Sequence, residues 1–223
     1  MYTLYFGNKN YSSWSLRPWL LLKHFEIPFE EHPVQVSGKG AHAGHRAYSA
    51  NGLVPCLHVD GFQVWDTLAI AEFLAERHPG LWPDDAWARA RARSVSCEMH
   101  SGFGALRTAM PMNIKLRLKG KTPSAEVQAD IDRVVAIWTE ARTQFAGDGG
   151  PWLFGRFSVA DAMFAPVVQR FATYNVELPP LAAAYRDAML AHPAMVEWAQ
   201  GALAETVALA SYDAVADSYG GPR

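Results

Sequence analysis

The chain has 223 residues, 50% of them hydrophobic, and its 20 basic and 22 acidic side chains give a formal net charge of -2. This length suits one large domain or two modest ones, and the apolar fraction excludes a disordered linker protein. The even charge balance disfavours nucleic acid as a partner, and no apolar run approaches the ~20 residues that a bilayer span needs. The two cysteines, Cys56 and Cys97, cannot form a disulfide framework, and the N-terminus has a strand pattern with no secretory signal. We therefore expect a cytoplasmic globular protein with no membrane or nucleic-acid partner.

The first 80 or so residues alternate between strand and helix patterns. Asp60-Gly61 predicts a hairpin, because this dipeptide adopts the backbone of a tight two-residue turn. Pro18 is tolerated only in the first turn of a helix, which predicts a helix start near residues 13–15. Strands are predicted over 3–6, 29–36, 54–59 and 62–65, and a further helix over 67–77. This order favours a small mixed sheet packed with helices.

The rest of the chain has helical patterns. Two prolines and a glycine between 78 and 83 predict a linker, which divides the chain into a domain over 1–78, a linker over 79–85 and a helical domain over 86–223. One or two helices are predicted over 84–118, interrupted at Pro111, and Thr122 is the predicted cap of the next helix. Later helices are predicted over 158–173, 181–191 and 193–210, with a loose tail of about a dozen residues after them.

Ser12 and Ser13 stand where the first strand gives way to the first helix. Hydroxyl groups and unpaired backbone N–H groups at a helix N-terminus form a site for an anion. Simple capping of the helix is equally consistent with the pair. A serine nucleophile is disfavoured, because no G-x-S-x-G elbow surrounds either residue.

Two further dipeptides mark places where a ligand could meet the backbone. A cis proline at Pro55 would turn the N–H and C=O of Val54 toward an extended ligand, although an ordinary edge-strand proline is the alternative. Asp66 or Thr67 would cap the next helix, whose free N–H groups could hold a carboxylate. The carboxylate of Asp66 would suit an ammonium on the same ligand, so this pair fits the end of an amino acid.

Two other motifs carry no predicted chemistry. Ser158 and Asp161 form a capping box, which serves folding. His42 and His45 have no carboxylate or cysteine nearby to complete a metal shell. We therefore predict no metal site.

Together these features resemble the cytosolic glutathione transferases, specifically the serine-type bacterial members near the theta and zeta classes. The matching stretches are NYSSWSLRPWLLLK (10–23), NGLVPCLHVDGFQVWDTLAIAEFLAERHP (51–79) and PWLFGRFSVADAMFAPVV (151–168). The resemblance implies an α/β thioredoxin-like N-terminal domain and an all-α C-terminal domain. It also implies a homodimer that holds glutathione on the first domain and a small hydrophobic or oxyanion-bearing electrophile in the cleft between the domains.

The family's site residues carry over by position. Ser12 matches the serine that hydrogen-bonds the glutathione sulfur, and Ser13 is a near-equivalent choice because the alignment can slip by one. Val54, before the family's cis proline at Pro55, would pair with the cysteinyl backbone. Where the family holds the γ-glutamyl end with an acidic residue and a serine, this chain has Asp66-Thr67.

The chain also departs from the family's pattern. Leu53 stands where a lysine or histidine often contacts the glycine end of glutathione, so that contact would come from Lys39, His42 or Arg46. Trp14 replaces the cysteine that follows the paired serines in zeta-type isomerases, which weakens the case for maleylacetoacetate isomerisation.

The fold implies that the first C-terminal helix contributes to the co-substrate pocket. The candidates are His100, Phe103, Arg107, Met110 and Met112, with core packing as the alternative for the methionines and the phenylalanine. Three functions remain open: a glutathione transferase acting on hydrophobic electrophiles, a glutathione-dependent cis–trans isomerase, and a non-catalytic glutathione-binding homologue. Arg107 is the informative residue, because a cation in the cleft favours anionic substrates.

Overall fold

The computed structural model describes residues 1–37, 43–147 and 150–222. The strands are β1 (Tyr2–Phe6), β2 (Phe29–Pro33), β3 (Cys56–Val59) and β4 (Phe62–Trp65). The helices are α1 (Ser13–His24), α2 (Thr67–Ala75), α3 (Ala86–Ser101), α4 (Gly104–Ala109), α5 (Ala125–Ala141), α6 (Val159–Thr173), α7 (Pro180–Ala191), α8 (Pro193–Ala204), α9 (Ala210–Asp213) and α10 (Val215–Ser218). A 3-10 turn spans Ala43–Ala47 and a π turn spans Arg142–Ala146.

The strands form one mixed sheet in the order β2-β1-β3-β4. β1 pairs in parallel with β2 and antiparallel with β3, and the predicted Asp-Gly turn joins β3 to β4. β2 is shorter than predicted and ends at Pro33, although the N–H of the next residue, Val34, still donates to the carbonyl of Phe6 at 2.8 Å. The small sheet domain followed by a helical domain confirms the predicted fold. The domain boundary over 79–85 stays a prediction and lies in the segment between α2 and α3.

Helix α1 lies at the centre of the molecule and contacts β1, α2, α6 and α8. Leu16, Trp19 and Leu20 on this helix are completely buried. Arg17 is also buried, and its Nε donates to the carbonyl of Met163 on α6 at 3.0 Å. Both domains therefore bury apolar surface against the same helix.

Pro18 lies in the second turn of α1, one turn later than the sequence argument allows. A proline there has no N–H to donate to the carbonyl four residues earlier, which belongs to Trp14. The hydroxyl of Thr67, at the start of α2, donates to that carbonyl at 3.2 Å. The first residue of α2 thus fills the gap that the proline leaves in α1.

Helix α4 ends at Ala109, just before Pro111, but the helical segment also breaks at Gly102 and Phe103, which the sequence did not predict. Phe103 adopts a left-handed conformation with φ 60°, which separates α3 from α4. The guanidinium of Arg107 reaches back and donates to the carbonyls of Gly102 and His100 at 2.9 and 3.3 Å, and also to that of Met99. These carbonyls at the end of α3 have lost their helical partners, and Arg107 supplies new ones.

Two other predictions about the helical domain need correction. Ser124, and not Thr122, caps α5, because its hydroxyl accepts the N–H of Val127 at 3.4 Å. Helix α8 ends at Ala204, and the predicted loose tail contains α9 and α10. By contrast, the capping box of Ser158 and Asp161 is present at the start of α6.

Candidate functional site

A cavity of about 710 Å³ lies where the N-termini of α1 and α2 face the helical domain. Its walls include these residues that the sequence singled out: Ser12, Ser13, Val54, Pro55, Asp66, Thr67, His100 and Arg107. Lys39 and His42 lie outside the described residues. The cavity therefore brings the N-terminal candidates together with two of the co-substrate candidates.

The two serines at the start of α1 have different surroundings. Ser12 is the N-cap of α1, is partly exposed, and its Oγ lies 2.7 Å from the Oγ of Ser15. Ser13 is buried, and its Oγ accepts a hydrogen bond from Nη2 of Arg170 at 3.3 Å. Ser12 is thus the more accessible hydroxyl, at the positive end of a helix dipole.

The other N-terminal candidates also line the cavity. The Val54-Pro55 peptide bond is cis, as the sequence suggested. The carboxylate of Asp66 caps α2 by accepting the N–H of Leu68 at 2.9 Å, and it also lies 2.8 Å from Nε2 of His100. This contact links α2 of the first domain to α3 of the second across the cavity.

Two arginines of the helical domain, Arg107 and Arg170, line the cavity, and Arg17 of α1 is buried nearby; none of the three forms an ion pair with a carboxylate of the described residues. Arg17 and Arg170 are buried, and every hydrogen bond of Arg17, Arg107 and Arg170 goes to a backbone carbonyl or to Ser13. The guanidinium carbons of Arg17 and Arg107 also lie 4.4 and 4.8 Å from the ring centre of Trp14. Burial and mutual repulsion lower the pKa of Arg170 to about 10 and that of Arg17 well below its usual value. The cavity wall therefore carries a positive potential that would attract an anion.

Phe103, Met110 and Met112 do not line the cavity. All three are at least 94% buried and belong to the hydrophobic core. The left-handed backbone of Phe103 marks the break between α3 and α4, a bend that helical spacing could not reveal. The core-packing alternative is therefore the right one for these residues.

Sequence reasoning missed the contribution of α6 and of the C-terminal segment. Arg170 lies in a mostly apolar helix that is buried along nearly its whole length, and a charge in such a helix is a signal of a buried polar site. Leu209 and Tyr212 line the cavity, and nearby Tyr11 donates its hydroxyl to the carboxylate of Asp213 at 3.0 Å. The segment after α8 has no sequence pattern that predicts this long-range contact.

No group of three or more histidine, cysteine, aspartate or glutamate side chains within residues 1–37, 43–147 and 150–222 could hold a metal ion. Across the same residues, no helix combines the length and the apolar character that a membrane crossing requires.

The chain is similar to known proteins in sequence and in fold. A probable maleylacetoacetate isomerase of Caenorhabditis elegans is 28% identical over 75% of this chain and 78% of its own length. The fold matches a glutathione transferase homologue from Burkholderia with bound glutathione, at TM-score 0.68 and 23% identity over 92% of this chain and 99% of that one. It also matches a theta class glutathione S-transferase from Xanthomonas axonopodis with glutathione bound, at TM-score 0.63 and 20% identity over 92% and 99% of the two chains.

Models of the two domains of one family match most of the chain. The glutathione S-transferase N-terminal domain matches residues 11–77, and the glutathione S-transferase C-terminal domain matches residues 124–201. These ranges contain Ser12, Val54, Asp66 and Arg170, which all line the cavity. The chain belongs to the glutathione S-transferase family.

Proposed function

We propose that this protein is a glutathione transferase that activates the glutathione thiol with the hydroxyl of Ser12. The observation that carries the proposal is the placement of Ser12, which caps α1 and presents a partly exposed hydroxyl on the wall of the cavity. Ser13 is the weaker candidate, because its buried oxygen already accepts from Arg170. The serine acts as a donor to a thiolate and is never itself ionised.

The shift in the thiol pKa that this site has to produce is small. A free thiol has a pKa of ~8.5, so only a few per cent is thiolate near pH 7. Lowering that pKa by about two units requires ~2.7 kcal/mol, which one charge-assisted hydrogen bond and a helix dipole can supply together. The charge of Arg170, which lines the cavity, acts in the same direction, because it favours an anion there.

The residues around the cis proline and the start of α2 suit the peptide part of glutathione. The backbone of Val54, beside the cis Pro55, would pair with the cysteinyl residue, and the start of α2 at Thr67 would hold the γ-glutamyl carboxylate. The carboxylate of Asp66 would meet the ammonium, which requires its contact with His100 to be shared or released. Lys39 stays the proposed contact for the glycine end.

Cis–trans isomerisation of an anionic enediolate is the second candidate function. Arg107 and Arg170 favour it, because both line the cavity without an ion pair to a carboxylate of the described residues, and a substrate carboxylate would supply the missing charge. The name of the Caenorhabditis elegans relative agrees with this reaction. Turnover of maleylacetoacetate or maleylpyruvate, with no turnover of aryl halides, would select the isomerase over the transferase.

Ser12→Ala tests the proposal, and Ser13→Ala is its matched control. Against a chromogenic aryl halide, or against maleylacetoacetate if that is the substrate, Ser12→Ala should raise the pH of half-maximal activity, because the thiol loses its donor. Ser13→Ala should leave that pH close to the wild-type value. An unchanged pH profile and rate in Ser12→Ala would refute the role of Ser12.

The remaining parts of the proposal have tests of their own. Glutathione at millimolar concentration should raise the melting temperature, since a ligand that binds the native state stabilises it. No rise would favour the non-catalytic homologue. The proposed homodimer predicts twice the chain mass of 24.6 kDa in light scattering, and a monomer would contradict it. The cytoplasmic location is part of the same proposal, and cell fractionation would test it.

A further inference from the structure

We infer that Ser15 is a positioning residue that orients the hydroxyl of Ser12 toward the glutathione sulfur. This inference rests on the proposed function, because it assigns a role to a second serine of the same site. Ser15 does not line the cavity, so it would act only through Ser12. Its position in the first turn of α1 gives no sign of this role in the sequence.

The two serine hydroxyls are in direct contact. The Oγ atoms of Ser12 and Ser15 lie 2.7 Å apart, the usual distance of a hydroxyl–hydroxyl hydrogen bond. Ser15 has no exposed surface, whereas Ser12 is partly exposed on the cavity wall. The other contact of the Ser15 oxygen is the backbone N–H of Gly7, which donates to it at 3.0 Å.

The protons of the Ser12 and Ser15 hydroxyls determine how the two side chains respond to a bound thiolate. Each hydroxyl has one proton to donate and two lone pairs to accept. Since the Gly7 N–H is a donor, the only acceptor that the described residues offer to the Ser15 proton is the Oγ of Ser12. When Ser12 turns its proton to the sulfur, Ser15 can donate to Ser12 and no buried proton is left without a partner. The donors then run in one direction, from Gly7 through Ser15 and Ser12 to the sulfur, and each polarises the next.

The end of strand β1 fixes the starting point of this hydrogen-bonded chain. A Cβ atom at Gly7 would lie 3.2 Å from both Cβ and Oγ of Ser12, and 2.7 Å from Cγ2 of Val36. Only a glycine therefore lets the end of the strand approach the serine pair this closely. The N–H that anchors Ser15 belongs to a residue held directly beside the sheet.

The experiment measures the thiolate of glutathione bound to the full-length protein by its ultraviolet absorbance as a function of pH. At a fixed pH below the pKa of the bound thiol, Ser15→Ala should leave about threefold less thiolate than wild type. The reason is that one polarising donor strengthens the next hydrogen bond by about 10–30%, so the bond from Ser12 to the thiolate becomes weaker without Ser15. Ser12→Ala should cause a larger loss. In a Ser12→Ala background, adding Ser15→Ala should change nothing further, because Ser15 acts only through Ser12.

Two controls separate positioning from a general loss of structure. Ser96→Ala removes a buried hydroxyl on α3 that has no hydrogen-bond partner among the described residues, and it should leave the thiolate titration at the wild-type position. Ser15→Thr keeps the hydroxyl and should retain the wild-type titration, which provides the comparison if Ser15→Ala unfolds.

The outcomes distinguish this inference from the proposed function. A thiolate signal in the wild type that Ser12→Ala reduces and Ser15→Ala leaves unchanged would overturn the role of Ser15 alone. An equal effect of Ser15→Ala in the presence and absence of the Ser12 hydroxyl would also overturn it. A wild-type protein that binds glutathione without forming thiolate would overturn both the inference and the proposed function.

Discussion

Replacing Glu205 by alanine should destabilise the loop that carries the candidate serine. Glu205 follows the last residue of α8, and its two carboxylate oxygens accept the backbone N–H groups of Lys9 and Asn10 at 2.5 and 3.0 Å. The indole N–H of Trp198 donates to the carbonyl of Lys9 at 2.8 Å. The two residues that Glu205 holds stand directly before Tyr11 and the N-cap of α1.

The magnitude follows from these two hydrogen bonds. A hydrogen bond to a charged group contributes about 1.5–3 kcal/mol when buried, and partial exposure of this site reduces that value. A carboxylate at a helix C-terminus is itself unfavourable by about 0.3–1 kcal/mol, which removal of the side chain relieves. We therefore expect Glu205→Ala to lower the free energy of unfolding by about 2 kcal/mol. For a chain of this size, that corresponds to a melting temperature lower by about 4–8 °C.

Scanning calorimetry without ligand measures this change, and Glu197→Ala on the same helix is the matched control. Glu197 loses only a contact to Lys23, with a side chain that is 49% exposed, so its removal should cost less than about 1 kcal/mol. Glu205→Gln keeps one acceptor oxygen and should fall between the wild type and the alanine variant. A melting temperature of Glu205→Ala no lower than that of Glu197→Ala would refute this account of the loop.

Two further predictions concern helix α1. Thr67→Val removes the donor to the Trp14 carbonyl and should lower the free energy of unfolding in urea by about 1–3 kcal/mol. Thr67→Ser keeps the donor and should stay near the wild-type stability. Equal stabilities of the two variants would contradict a role for this hydrogen bond. Burial, aided by His192, lowers the pKa of His24 from 6.5 to about 4. The unfolded chain therefore takes up a proton at higher pH than the folded chain does, and stability should fall by about 2 kcal/mol between about pH 7 and 5 from this group. His24→Phe, which can keep the ring stacked on Phe157, should show a shallower fall, and an unchanged slope would exclude His24 as its source.

The parts of the fold that the sequence predicted well are those set by local chemistry. The Asp60-Gly61 hairpin, the capping box at Ser158 and the start of α1 depend on residues only a few positions apart. The same holds for Asp66, which caps α2 with its own side chain. Local patterns of this kind act before any tertiary contact forms, so they can be found without the rest of the chain.

The predictions that failed concern features that depend on interactions between distant residues. The helical segment also breaks at Gly102, before Pro111, and Arg107 holds the free carbonyls there. Met110 has the helical spacing of a pocket residue and of a core residue alike, and only packing decides between them. The roles of Arg170 and of the C-terminal segment depend on contacts with α1 across more than 100 residues of chain, which periodicity cannot show.

The burial of α1 between the two domains bears on whether either domain can fold alone. The chain has two domains by topology, yet Trp19 of the first packs at 5.0 Å against Trp198 of the second, and Arg17 lies completely inside the contact with α6. A fragment ending in the linker would remove Trp198 from Trp19 and α6 from Arg17, and full exposure of a large apolar side chain such as Trp19 costs about 1.5–3 kcal/mol. The sheet domain is therefore unsuited to independent expression, and the two halves of this chain should unfold in one cooperative transition.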